Sequence, residues 1–211
     1  MVNVNKVAIV TGASGGIGRA VCIALHDLRP MIAISCLSHN DLDVTQCGIF
    51  KTDILVCCHA APLDANFRSI LDIDLYGTYN ACMAALPDMS ERGFGRIILF
   101  SSIRAQHPRP GFAAYAAAKS GVEGLTRALA VEYGPKGVLV NCVAPGAVLT
   151  PRTTENIRRG VVNEEELKAR TPTGRLTTTE EIARVVLWLV SDECHINGQV
   201  ITIDGGWSVQ G

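Results

Sequence analysis

Three residues in this chain combine the types and spacing needed for proton transfer to a carbonyl oxygen: Ser102, Tyr115 thirteen residues later, and Lys119 four beyond that. On a helix, Tyr115 and Lys119 share a face one turn apart, because side chains at i and i+4 stack above each other. An ammonium beside a phenol favours the phenolate, so a tyrosine placed this way can exchange a proton with a bound oxygen near neutral pH. Ser102 follows an apolar run and stands where its hydroxyl can hydrogen-bond the same oxygen. By itself this trio is weak, since an alanine-rich helix can carry Tyr and Lys at this spacing by chance.

The elements that must position these groups alternate along the chain, which argues for a parallel sheet with helices on both faces. Residues 6–10 form a short apolar run, followed by Gly12, Ala13, Ser14, Gly15, Gly16, Ile17 and Gly18 and then by a helical pattern to about Leu28. Strand, glycine turn and helix in this order suit an anion. Glycines permit positive φ and close backbone approach, and the opening N–H groups of the helix face the charge. Further strands are expected at residues 31–35, 53–58, 96–101, 138–144 and 200–203. Helices are expected over 63–86, ended by Pro87, Gly93 and Gly95, over 111–133, and from Thr179 to about Ser191. Residues 147–176 read as a long segment with one acidic helical patch at 163–170. One domain spans residues 1–211, with no linker or internal repeat.

Taken together, T-G-x-x-x-G-x-G at residues 11–18 and Ser102, Tyr115 and Lys119 resemble the short-chain dehydrogenase/reductase family. The tail, with Asn197-Gly198 and Asp204-Gly205-Gly206-Trp207, is most similar to the 3-oxoacyl-thioester reductase branch. The resemblance implies a Rossmann-like α/β fold and reversible reduction of a ketone, such as a 3-oxoacyl thioester, by NADPH or NADH. It also implies roles. Tyr115 would protonate the oxygen, Ser102 would orient it, and Lys119 would hold the nicotinamide ribose and tune Tyr115. Gly12, Ser14, Gly16, Ile17 and Gly18 would hold the pyrophosphate. Pro145, Gly146, Val148 and Thr150 match the family's P-G-x-x-x-T around the nicotinamide carboxamide.

Several positions depart from the family pattern. Cys58, His59 and Ala60 stand where the family has the end of Asn-Asn-Ala-Gly beside the cofactor ribose, and Asp74 replaces its active-site asparagine. An ionised Asp74 reaching Lys119 would share the charge that Tyr115 would otherwise feel; alternatively it bonds nearby backbone. Between Ser35 and Asp43-Val44-Thr45 there is no room for the crossover of at least about 10–12 residues that another parallel strand there requires. Asp43 and Val44 match the family's Asp-Val pair at the adenine ring, but the helices flanking that pair look deleted, so the sheet should stop at strand two or have an irregular edge there, with a shallow and more exposed adenine site. Cys36 and Leu37, where a charge would select NAD or NADP, are uncharged, which leaves that choice open. The departures also leave room for a different class of function, a cofactor-poor structural or binding subunit.

Composition narrows the classes. With 211 residues, 48% of them hydrophobic, and a net charge of −1, the chain can bury a sizeable core and has no charge-based affinity for nucleic acid or an anionic membrane. No apolar run is long enough to span a membrane, and the first residues lack a leader pattern, so a cytoplasmic location is expected. Of eight cysteines none forms C-x-x-C. Cys57, Cys58 and His59 invite comparison with a metal site, but adjacent strand residues point to opposite faces, so buried thiols are expected and no metal. Arg152, Arg158 and Arg159 read as a solvated face or as contacts to an anionic group. The family pairs its long helices across two-fold axes, which implies a homodimer or homotetramer.

Overall fold

The computed structural model describes residues 6–28, 33–37, 50–62 and 64–210, with the backbone alone at 28 and 33–37. Six parallel strands form one sheet in the order β2-β1-β3-β4-β5-β8: β1 Val7–Thr11, β2 Ala33–Leu37, β3 Ile54–Cys57, β4 Gly95–Phe100, β5 Val138–Pro145 and β8 Val200–Ile203. This is the Rossmann-like arrangement, and the order reverses between β1 and β3, where open α/β sheets bind ligands at the carboxyl ends of their strands.

Strand alternation divides the core into two layers. Ala8, Val10, Val56, Ile98 and Phe100 face α1 (Gly16–Leu28) and α7 (Thr179–Leu189), where they meet Val21, Leu25, Ile182 and Val186. Ile9, Leu55, Cys57, Ile97 and Leu99 face α3 (Gly77–Arg92) and α4 (Ala113–Tyr133), where they meet Ala81, Leu86, Met89 and Val122. With both faces covered, β3 and β4 are buried at every position.

Element boundaries differ from the sequence expectation in places with physical reasons. Strand β2 runs to Leu37, two residues past its expected end, residues 31–32 of that expectation lying outside the described residues, and the sheet ends at β2 among the described residues. The expected helix at 63–86 is instead α2 (Phe67–Leu71), one π-helical stretch (Asp72–Tyr76) and α3, which runs through Pro87 to Arg92. Burial of Leu86 and Met89, and the pairing of Arg92 with Asp53 and Asp88, hold that end until Gly93 closes it in the left-handed region. Pro151 opens an unexpected helix, α5 (Pro151–Arg158), capped by Thr150, whose Oγ1 accepts from the Thr153 N–H at 3.1 Å. A short α6 (Glu164–Ala169) follows, and a two-residue bridge joins β6 (Val148–Leu149) to β7 (Thr177–Thr178). Helix α7 starts from a Thr178–Glu181 capping box, so its cap is Thr178 and not Thr179.

Candidate active site

The carboxyl ends of β1, β3, β4 and β5 bring most of the expected residues to one edge of the sheet. Gly12 has φ +66°, and a Cβ there would stand 2.7 Å from the backbone of Cys58 and His59. At Gly16 a Cβ would meet Pro151 Cδ at 2.8 Å, so the glycine turn nestles between the loop after β3 and the start of α5. The Gly15 N–H donates to Gly12 O at 3.0 Å, and the first backbone bond of α1 runs from Arg19 N to Gly15 O at 2.9 Å. Gly16, Ile17 and Gly18 therefore supply the opening-turn N–H groups, and Ser14 is exposed beside them. A backbone cradle that any Cβ would fill, at a helix N-terminus, fits a dinucleotide pyrophosphate.

Loop residues after β3 are tied down by side chains. His59 Nδ1 lies 2.6 Å from Thr11 Oγ1, and Nε2 lies 3.3 Å from Thr78 Oγ1. Cys57 packs in the α3/α4 layer and Cys58 against the α1/α7 layer, on opposite faces, so the two sulfurs do not converge with His59 on one ion. Burial pushes the Cys58 thiol well up from its ordinary value. No non-glycine residue among those described has positive φ, Ala60 included, so glycine's freedom is not needed at that position. Asp43 and Val44 lie outside the described residues.

Ser102 and Lys119 are buried on β4's outgoing loop and on α4, and Tyr115 is half-buried. Helical spacing places Lys119 Nζ 5.5 Å from the centre of the Tyr115 ring, and the ammonium donates to Phe100 O at 3.1 Å. Ser102 Oγ accepts from the Arg104 N–H at 3.2 Å, which fixes the serine at the mouth of the loop. Behind it, Ser101 Oγ donates to Lys119 O at 3.2 Å and to Glu123 Oε1 at 2.9 Å, locking β4 to α4.

Asp74 is fully buried in the π-helical stretch, a feature that often marks functional positions. Its Oδ1 accepts from Ala61 N–H at 2.6 Å, and its Oδ2 lies 3.4 Å from Lys119 Nζ without a hydrogen bond among the described residues. Asp74 thus bonds backbone at Ala61 and also stands beside Lys119, and it does not face solvent. Burial works to lower the pKa of Lys119, but the Tyr115 oxygen and the Asp74 carboxylate outweigh it, so the net shift is upward and the lysine is charged at neutral pH.

The remaining wall comes from β5 onward. Gly146 donates to Ile203 O at 2.9 Å, and a Cβ on it would strike Asp204 at 2.7 Å. Val148 O accepts from Thr150 N–H at 3.0 Å, folding Pro145 to Thr150 back over the sheet end. Arg158 is held by Glu155 in two bonds of 2.8 Å, while Arg152 and Arg159 are exposed, so the solvated-face description suits them. A separate cavity of about 420 Å³, lined by Arg184, Val185, Trp188 and Ile203 among others, contains none of the trio.

Sequence reasoning missed a second group at this edge. Arg104, His107 and Arg109 follow Ser102 on the same loop, and Arg104 and His107 meet Trp207 near the C-terminus. No local pattern joins residues a hundred positions apart, although the Trp after Asp-Gly-Gly is a visible signal.

Residues 41–208 match the family model described as Enoyl-(Acyl carrier protein) reductase. The chain is 35% identical to the acetoacetyl-CoA reductase of Shinella zoogloeoides over 238 positions, covering 96% of this chain and 98% of that one. Among solved structures, ElxO with NADP bound superposes with TM-score 0.85 at 25% identity, covering 98% of this chain and all of that one (100%). A 3-oxoacyl-[acyl-carrier protein] reductase with bound NAD from Brucella melitensis superposes with TM-score 0.78 at 26% identity, covering 96% and 91%. No described helix is long and apolar enough to cross a membrane. The fold, the matched family model and these relatives agree, and the chain belongs to the short-chain dehydrogenase/reductase family of NAD(P)-dependent oxidoreductases.

Proposed function

We propose that this protein reduces the ketone of a 3-oxoacyl thioester or a related carbonyl to a secondary alcohol, with Tyr115 as proton donor. A bound NADPH or NADH supplies hydride to the carbonyl carbon. The hydroxyl of Tyr115 gives its proton to the carbonyl oxygen as the C=O π bond is lost, and the tyrosine is left as phenolate until solvent restores it. Ser102 donates a hydrogen bond to the same oxygen and orients it. The Lys119 ammonium stabilises the phenolate and stands where a nicotinamide ribose would be held. Asp74 keeps that ammonium charged and ties it to the loop at Ala61. The observation that carries this reading is the buried Lys119, fixed between Phe100 O and Asp74 and 5.5 Å from the Tyr115 ring. A structural subunit has no physical use for an ion pair buried there.

Gly12, Ser14, Gly16, Ile17 and Gly18 take the pyrophosphate, and Gly146, Val148 and Thr150 border the nicotinamide. Relatives hold either cofactor, and nothing charged at Cys36 or Leu37 selects between them. The protein works as a cytoplasmic homo-oligomer through its α3 and α4 faces, where the exposed Tyr79 of α3 stacks 6.4 Å from Tyr76 at the end of the π-helical stretch and Val131 of α4 is 79% exposed. Sedimentation as a monomer at micromolar concentration would remove that assembly. The function itself is tested by titration with NADH and NADPH, followed by cofactor consumption with acetoacetyl-CoA. Saturable binding with formation of the 3-hydroxy product is expected. Absence of binding of either cofactor at millimolar concentration would leave the structural alternative standing.

A further inference from the structure

Three cationic side chains gather beside the reacting end, none in an ion pair among the described residues. The Arg104 guanidinium lies 4.9 Å from the Trp207 ring centre, and that of Arg170 lies 5.1 Å from the same ring. Arg109 stacks on Phe112 at 4.0 Å, and Phe112 packs edge-on to Tyr115 at 6.2 Å. Among the described residues none of the three is in an ion pair, whereas Arg92, Arg158 and Arg175 each hold one.

The arrangement is built by the fold. Arg104 is fixed through its N–H to Ser102 Oγ and through Nη1 to His107 O at 3.2 Å, and His107 meets the Trp207 ring edge-on at 5.5 Å. Arg170 ends α6 just before a segment clamped to the C-terminal turn by Thr173 N–H to Gly205 O at 3.3 Å. Asp204, the nearby acid, has its oxygens occupied by the N–H groups of Gly206 and Ser208 at 2.9 and 2.7 Å, and His107 adds to its low pKa. Burial pushes the Arg104 guanidinium down, Arg109 and Arg170 push it the same way, and the charge of an ionised Tyr115 oxygen opposes them. Arg104 is half-buried while Arg109 and Arg170 are exposed beside it, and like charges gathered around a half-buried guanidinium are unfavourable until an anion arrives. A guanidinium stacked on an indole keeps its in-plane N–H groups available for bidentate bonds to an oxyanion.

We propose that Arg104 and Arg170 form an oxyanion subsite against Trp207 beside the reacting end, that it binds a carboxylate or a phosphate carried by the carbonyl substrate, and that Arg109 adds charge at the rim. The inference rests on Ser102 and Tyr115 marking the reacting end.

The chain has two tryptophans, so Trp188→Phe leaves Trp207 as the sole indole reporter. Titrating that protein with acetoacetate or inorganic phosphate should change its fluorescence saturably, and methyl acetoacetate should not. Arg104→Ala and, separately, the exposed Arg170→Ala should weaken the response about tenfold or more, which corresponds to 1.4 kcal/mol or more per variant. A response to acetoacetate identifies a carboxylate, and one to phosphate alone identifies a phosphate. In turnover, the kcat/KM preference for acetoacetate over methyl acetoacetate should fall toward unity in both variants. No saturable response to either anion, or an unchanged response in both variants, overturns the proposal. Anion binding in a protein that consumes no cofactor would leave this site standing and remove the reductase reading, whereas turnover without anion binding would do the reverse.

Discussion

The two halves of the crevice at the sheet's carboxyl edge are built differently. From β4 to β5, buried contacts anchor the surroundings of the expected groups: Lys119 by Phe100 O and Asp74, Ser101 behind Ser102 by Glu123, and Gly146 by Ile203. From β1 to β2 the glycine turn is tightly packed, yet beyond it the sheet ends among the described residues. The 238 positions of the alignment to the Shinella reductase exceed the chain's 211 residues by 27, so that relative carries at least that many residues without a counterpart here. The contrast separates chemistry from grip. On the proposed function, proton transfer falls to the first half, and binding energy and cofactor choice to the second.

The largest effect that tests this contrast is on Lys119. Lys119→Met leaves the fully buried Asp74 without its counter-charge, so stability should fall by about 3–5 kcal/mol and turnover by roughly 10²–10⁴-fold. Urea unfolding and steady-state rates measure both, and a stable, active variant would show that the ion pair is not part of the site. Gly12→Ala comes next. It forces alanine into a left-handed backbone and drives a Cβ against Cys58 and His59, at a cost of about 2–4 kcal/mol, visible as a lowered melting temperature and weakened cofactor binding.

Asp74→Asn should act more gently, because the amide oxygen still accepts from Ala61 N–H. Lys119 has a raised folded pKa, so its contribution is fully present below the unfolded lysine value of about 10.4 and is lost as pH rises through the folded value. The variant should therefore be less stable than wild type by roughly 2 kcal/mol at neutral pH, with the gap narrowing as pH climbs through that window. In the oxidation direction its rate should rise at lower pH than that of wild type, since the lysine charge is no longer shared. An upward shift would reverse this electrostatic account. The smallest effect is expected from the cofactor itself: NADH and NADPH should bind within about tenfold of each other, because a missing charge-assisted hydrogen bond removes only about 1.5–3 kcal/mol of discrimination. A hundredfold preference would place a selecting charge in the shortened half.

Much of this was legible because local chemistry dictated it. The parallel sheet followed from alternating apolar runs, the glycine turn from its spacing, and the Tyr115–Lys119 face from helical periodicity. Helix α5 was legible too, since Thr150 before Pro151 is a cap followed by a first-position proline, but the polar residues after it hid the pattern. Pro87 misled because tertiary burial of Leu86 and Met89 outweighs the missing N–H. The π-helical turn that aims Asp74 at Lys119, and the meeting of Arg104 with Trp207, arise from packing between distant segments that no local pattern encodes.

The central claim is that chemistry resides on Tyr115, and Tyr115→Phe tests it most directly. The substitution removes one hydroxyl and keeps the ring against Phe112. Reduction of acetoacetyl-CoA should fall by roughly 10²–10⁴-fold while NADPH or NADH binds as before. A variant that binds cofactor and turns over within about threefold of wild type, against that expected loss, would contradict the account.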